Sequence, residues 1–447
     1  VKTDVPVVVL HTDGYGTVAI ARTLGRLGVP MYLLAQEGTS APSLSSRFWT
    51  GKQRWNFRKS ETESVAFMLD LGRRLRATHG ARPILLTDAD RMAILVERSA
   101  DALETQFDFP RPTRPIVRDL ANKWGMHALA SGSGVPTPAT AYVCSQADVE
   151  AFLETAAFPV VLKAADRSAV NGPPNRLIGS RHELVDEAHR RMADGPLDVV
   201  LQEYIPGDAR SVWMCNGYFG SDPARSLVFT GKKLRQVSST GVASLAVCLA
   251  NETVERQTRT FMEAIGYRGC VGVGYRYDAR DGQYKLLDVN PRVSGVFRLF
   301  SGRNDVDVVR ACYLDLTGQH APTTSLRPGR KWLLEDDVFP AFRAVRNGDL
   351  TVRQWARSLR GVQESAWFAR DDLKPGLAWA WSVVRRTSAG PGAGSTAEPR
   401  ADRHADARDS AAELLPADAR PAVRPSRSTS PGTAARSSAV RRGPRGG

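Results

Sequence analysis

In the segment LLDVNPR at 286–292, Asp288, Asn290 and Arg292 alternate with Leu287, Val289 and Pro291. Side chains two residues apart along a strand point to one face, so a carboxylate and an amide carbonyl stand together with a guanidinium just beyond. Carboxylate and amide oxygens are the hard ligands that magnesium takes, and a guanidinium pins a phosphate oxygen. The plainer reading is a strand that ends in a turn, because Asn-Pro opens loops.

The elements that would position this trio read as a hairpin. A strand CVGVGYRY at 270–277 turns through DARDG at 278–282 and returns as QYKLLDVN at 283–290, with Asp281-Gly282 as the turn signal. With Tyr277 facing Gln283, Gly272 is expected opposite Asp288 and Gly274 diagonal to it. Glycine inside a strand marks a close approach, here room beside the carboxylate. Asp278 is read as a turn former.

Upstream, strands VPVVVL (5–10), PMYLL (30–34) and PILLT (83–87) alternate with helices starting after DGYG, at about 61–77 and at about 89–104. Such alternation implies an open parallel sheet. Gly14, Gly16 and Ala19 match a G-x-G-x-x-A turn, which admits an anion at a helix N-terminus. A dinucleotide site also needs an acid closing the second strand, and Glu37 comes three residues late. An NAD-binding oxidoreductase therefore stands as one alternative, against a tight turn or another anionic ligand.

Between these regions lie a helix carrying Asn122-Lys123, a loop GVPTPAT (134–140), a helix at about 146–155 and a strand FPVVLKA (158–164). Lys163 shares a strand face with Val161, and a lysine among apolar neighbours calls for an anionic partner. The loop DRSAVNGPPNR (166–176) could cover a phosphate tail. A helix at about 181–193 precedes strand DVVLQEYI (198–205), which ends in polar Gln202 and Glu203. SLVFTGKKLRQ (226–236) brings Lys232-Lys233, either site cations or a solvated face. Residues 320–386 read as a helical appendix with one stripe at Leu333, Val338, Phe339 and Phe342 and another at Trp355, Leu359 and Val362. Within it, LAWAWSVVRR (377–386) has two readings, weak contact with a membrane surface or packing on the core.

Composition bounds the choices. A chain of 447 residues accommodates two to three domains. Its five cysteines are scattered and form no CxxC pair, which argues against a disulfide framework or a zinc site and for a reducing, cytoplasmic setting. The net charge of +14 is spread: from 387 to 447 ten arginines face six acids, so about ten excess positives lie elsewhere. That tail offers little to bury and is expected to be disordered. It has no aromatic residue to stack on bases, so no specific nucleic-acid partner is expected.

From about Val7 to about Gly318 the order of these motifs resembles the ATP-grasp superfamily, in particular its carboxylate-amine ligases of the D-aspartate-ligase-like branch. The resemblance rests on the glycine turn, Asn122-Lys123 with GVPTP, FPVVLK, VVLQEYIPGD, FTGKKLRQ, and YKLLDVNPR with VFRLF behind it. It implies an α/β (α+β) chain: an N-terminal parallel-sheet domain (1–115), a small lobe (116–200), a large lobe (201–319), the helical appendix (320–386) and the tail (387–447). By the same resemblance, Lys123, Lys163 and Lys232 hold the phosphates of ATP. Gln202, Glu203, Tyr204 and Ile205 form the adenine hinge, and Asp208 meets the ribose. Asp288 and Asn290 bind Mg2+, for which Mn2+ can substitute, and Arg292 is the catalytic residue near the transferred phosphate or acceptor. The implied reaction joins a small-molecule carboxylate to an amine, on an amino acid or peptide, through an acyl phosphate. One departure stands out: the second metal-binding acid of the family has Gly274 as its counterpart, so a nucleotide binder with weak or lost ligase activity is the other alternative.

Overall fold

The computed structural model describes residues 1–11, 14–165, 175–195, 197–237 and 242–388. The expected phosphate-covering loop falls largely outside these, as does the tail beyond Ser388.

The N-terminal domain runs β1 (Val7–His11), α1 (Tyr15–Gly25), β2 (Met31–Gln36), β3 (Gly51–Trp55), α2 (Glu61–His79), β4 (Ile84–Thr87), α3 (Asp90–Arg98) and α4 (Ala100–Leu103). Its four strands are parallel in the order β3-β2-β1-β4. Residues 7–10 of β1 are an unbroken apolar run because both faces are covered: Val7 and Val9 pack with α1, while Val8 and Leu10 pack with α2 and α4. α2 starts where the Ser60 hydroxyl accepts from Glu63 N and the Glu63 carboxylate accepts from Ser60 N, and it stops at Gly80 with φ +74. β3 had no sequence signal, since GKQRW alternates on a half-exposed edge without a β-branched residue. The helix expected over 89–104 breaks at Ser99 into α3 and α4.

α5 (Val117–Ala121) and α6 (Lys123–Gly132) lead to a second sheet. It contains β5 (Thr140–Val143), β6 (Val160–Ala164), β7 (Arg176–Ile178) and β8 (Val199–Glu203), in the order β5-β8-β6-β7, all antiparallel. α7 (Gln146–Thr155) and α8 (Arg181–Asp194) cover one face through Phe152, Leu153, Leu184 and Ala188. A lobe boundary at 200 would cut β8 in two; the strand belongs whole to this sheet.

The third sheet has seven strands. β9 (Val212–Phe219), β10 (Leu227–Gln236), β11 (Ala243–Cys248), α9 (Glu252–Ala264), β12 (Gly269–Asp278), β13 (Gln283–Asn290) and α10 (Val308–Leu316) are followed by β14 (Lys331–Leu333), α11 (Val338–Arg346), α12 (Val352–Ser358), β15 (Val362–Ser365) and α13 (Leu373–Ser388). The strand order is β13-β12-β9-β10-β11-β14-β15. The appendix is thus not purely helical: β14 pairs with β11 and β15 with β14, extending the large sheet. The apolar spacing predicts a helical stripe through Leu333, Val338, Phe339 and Phe342, but Leu333 is a strand residue and the other three are exposed.

The C-terminal segment also returns to the first domain. Arg22 on α1 is buried and donates to Asp372 Oδ2 at 3.0 Å and to the carbonyls of Trp367 and Ala366 at 2.6 and 3.3 Å. Asp372 accepts in addition from Ser46 Oγ at 2.7 Å and Arg47 N at 3.0 Å. Removing one partner of a buried, fully bonded ion pair strands the other charge. Asp372→Ala is therefore expected to destabilise the protein by about 3–5 kcal/mol, read as a lower denaturation midpoint; a change under about 1 kcal/mol, the scale of an exposed pair, would contradict a role for this strap.

Candidate active site

β12 and β13 meet in the expected hairpin, closed by Gly282 at φ +72, but with a different register. Asp278 rather than Tyr277 faces Gln283, and a bulge at Leu287 adds one more step, so Gly274 stands opposite Asp288 and Gly272 opposite Asn290. A bulge re-aims the side chains beyond it. Here it turns Leu286 into the core under α9 while Asp288 points to the other face. A Cβ on Gly274 would lie 3.6 Å from Asp288 Cβ, an ordinary contact, whereas one on Gly272 would come within 2.8 Å of Ser294 Cβ. Gly274 is open space beside the carboxylate; Gly272 is needed for the loop to pass.

Lys123 reaches this carboxylate from α6. Asn122 closes α5 and caps α6, its Oδ1 accepting from Trp124 N at 2.9 Å and Gly125 N at 3.0 Å, which fixes Lys123 as the first helical residue. The Lys123 ammonium, 8% exposed, donates to Asp288 Oδ1. Asn290 Nδ2 donates to Asp288 Oδ2 at 3.2 Å, and Arg292 donates to Asn290 Oδ1 at 3.1 Å. Arg292 is held by Asp90 at 2.8 Å; burial pulls its pKa down, but Asp90 outweighs that and keeps the guanidinium charged.

The other expected residues fall into separate places. Lys163 on β6 donates to Gln202 Oε1 at 2.5 Å, and Gln202 Nε2 donates to Thr140 Oγ1 at 3.0 Å. Lys123 N approaches Ala165 O at 3.5 Å, so the end of β6 lies beside the start of α6. Glu203 is engaged by Arg280 and by Lys285 at 3.7 Å, and accepts from Ala139 N at 3.1 Å. Asp278 is more than a turn former: buried, it binds Arg280 at 2.6 Å and Lys285 at 2.8 Å, and Arg280 foremost holds its carboxyl far below the usual range. Arg276 stacks on Tyr204 at 5.4 Å and donates to Gly207 O and Ser211 Oγ, setting the path of the hinge after the buried Ile205. Asp208 is exposed and caps a short turn through Arg210 N at 2.9 Å.

Lys232 is the member of its pair turned away from the carboxylate. It pairs with Trp213, over whose ring its ammonium sits at 5.3 Å, whereas Lys233 follows Gly231 by two residues and shares the face of Gly274 and Asp288. Burial, helped by Arg276 and opposed by Asp288, lowers Lys233 to about 8. The sequence showed two adjacent lysines but not the register that separates them. Arg235 and Arg298 serve structure, bound to Asp337 and to Asp307 and Glu364 respectively.

The glycine turn is already filled. Asp88, at the end of β4, accepts from Thr17 N at 2.8 Å through Oδ2, and a Cβ on Gly14 or Gly16 would lie 2.6 or 2.8 Å from that oxygen. The anion at the α1 N-terminus is the chain's own carboxylate, which takes the place a dinucleotide pyrophosphate would need and overturns the expectation of an NAD site. Asp88 and Asp90 carried a signal that went unused: two acids just past a strand of a parallel sheet, where ligands bind.

Asp288 and Asn290 suit one magnesium ion that takes its remaining ligands from phosphate and water. Among the described residues no group of three or more His, Cys, Asp or Glu gathers to hold a metal. The match rests on Asp288 already accepting a cation, the Lys123 ammonium, on one oxygen.

The chain has the ATP-grasp fold: its parallel-sheet domain, its four-stranded sheet and its large sheet, antiparallel except for the β14–β15 pair, are arranged as in solved structures of that fold. It resembles the L-amino acid ligase from Bacillus licheniformis with a TM-score of 0.52 at 16% identity, covering 74% of this chain and 79% of that one. N5-carboxyaminoimidazole synthetase from Staphylococcus aureus, solved with ADP, gives a TM-score of 0.56 at 13% identity over 74% and 81%. A curated relative, D-aspartate ligase of Enterococcus faecium (strain Aus0004), is 25% identical over 255 residues, or 54% of this chain. The chain spans 61% of the length of that relative. No family model matches the chain.

Lys233 yields a test of phosphate placement. With burial lowering it to about 8, and a neighbouring polyphosphate keeping it charged, ATP binding at pH 8.5 is expected to take up to roughly three-quarters of a proton from solution. Calorimetry in two buffers of different ionisation enthalpy reads this, and Lys233→Met should abolish the uptake. The folding linkage has the opposite sense: the unfolded lysine, at 10.5, holds its proton longer, so this group adds stability as pH rises from about 8.

Proposed function

We propose that the protein is an ATP-dependent carboxylate-amine ligase acting on an amino acid or peptide. The observation that carries this is the Asp288 carboxylate, set opposite an empty Gly274 and faced by Lys123 and Asn290, with Arg292 at the rim. The substrate carboxylate attacks the terminal phosphorus of ATP, and the bond to the bridging oxygen of ADP breaks. An amine then attacks the acyl carbon, releases inorganic phosphate and loses a proton to give the amide. Both reactants of the first step are anions, so the acceleration must come from fixed cations. Lys123, Lys163 and Lys233 would hold phosphate oxygens, and Arg292, kept rigid by Asp90, would meet the transferred group or the acceptor. Magnesium on Asp288 and Asn290 would neutralise charge between the phosphates.

The rim carries both signs of charge, Arg292 against Asp88 and Asp90. A zwitterion suits such a place, which together with the amino acid ligases among the similar proteins supports an amino acid as one substrate. Gln202 to Ile205 remain the adenine hinge of this reading and Asp208 the ribose contact.

A ligase of this kind releases ADP only when magnesium, a carboxylate and an amine are present together, measured by coupled ADP assay over pools of amino acids. Asp288→Asn should lower that rate by about 10²–10³-fold. ADP release that is independent of every acceptor pool would count against the proposal.

A second reading, nucleotide binding with little ligation, is favoured by Gly274. Because a side chain fits there, Gly274→Asp separates the two. Under the weak-ligase reading it raises ADP release by about tenfold or more through a second bridging carboxylate; under the ligase reading the rate changes by less than about threefold.

A further inference from the structure

We infer that α13 is a docking face for an anionic lipid surface, on which the chain lies in the plane of the headgroups. Leu373, Leu377, Trp381 and Val384 recur along one side of the helix and are 48%, 67%, 60% and 52% exposed. The other side is seated: the Trp379 indole donates to Asp336 Oδ1 at 3.1 Å, Trp379 packs into the core behind the large sheet, and Pro375 and Gly376 are buried. One face anchors the helix, and this fixes the apolar stripe outward. Phe368, 51% exposed and in contact with Gly376, prolongs the stripe. Val338, Phe339 and Phe342 begin two residues after Asp336, and they too are exposed.

Charge selects the occupant. From 338 to 388 there are nine Lys and Arg against four Asp and Glu. Three of those acids are neutralised within the fold: Asp371 by Arg26, Asp372 by Arg22 and Glu364 by Arg330. Arg343, Arg346, Arg353, Arg370, Lys374 and Arg385 stay exposed, and Arg385 lies over the Trp381 ring at 5.4 Å. Apolar side chains with a tryptophan among them, with exposed Arg370, Lys374 and Arg385 on or next to the same helix, match the boundary between acyl chains and anionic headgroups. A second copy of this chain would present the same positive charge to itself. Among the described residues no helix is long and apolar enough to cross a membrane, so the contact is peripheral.

The test uses the full chain in co-sedimentation with vesicles of phosphatidylcholine alone and of phosphatidylcholine mixed with phosphatidylglycerol. Binding is expected to the mixed vesicles only, falling with salt, and at least about tenfold weaker in the double variant Leu377→Ser, Trp381→Ser, whose ATP binding and melting temperature match the parent. Absence of binding to mixed vesicles overturns the proposal. So does equal binding by the double variant, which would leave the attraction to charge elsewhere on the chain. Self-association abolished by the same substitutions, without vesicle binding, would assign the face to a second copy instead.

Discussion

A carboxylate taken partly out of water demands cations, and the arrangement around Asp288 follows from that demand. Its side chain is 31% exposed and Lys123, its partner, only 8%. Helix α6 begins where it does so that Lys123 arrives at this point; the bulge at Leu287 turns Asp288 toward it; Gly274 keeps the space beside it open. Lys233 and Arg292 bring further positive charge to the same face. Arg292 is itself paired with Asp90, so the face carries both signs of charge, and like charges within a short distance of each other favour an anion between them.

The N-terminal domain serves this cluster from outside. Its loop after β4 sends Asp88 into the α1 N-terminus and Asp90 onto Arg292, so one short stretch both closes the glycine turn and orients the guanidinium. A turn that in other parallel-sheet proteins receives a ligand phosphate here receives a protein carboxylate, and the domain's contribution becomes positional.

The alternating strands and periodic helices of the first domain were legible because their cores are two-sided and strongly apolar. The hairpin, its turn and the sharing of a face by Asp288 and Asn290 were legible from period and from Asp281-Gly282. What escaped notice depends on register and on long-range pairing. No local feature of YKLLDVN announces a bulge at Leu287, and without it neither the partner of Asp288 nor the outward turn of Lys232 can be assigned. β5, β7, β9 and β11 were missed: β5 and β7 are short, and β9 carries a glycine and an asparagine. The helical appendix was misread for a different reason: KWL and VQES are too short for a period to be measured.

Those two brief strands have an effect on how the chain can be divided. β14 covers the outer side of β11, and β15 in turn covers β14. A truncation at the end of the superfamily resemblance, near Gly318, would strip both and leave the backbone of ASLAVC, all six residues buried, as a bare margin. Unprotected apolar margins recruit strands from other chains, so a minimal catalytic fragment cut there would precipitate for a reason unrelated to its chemistry.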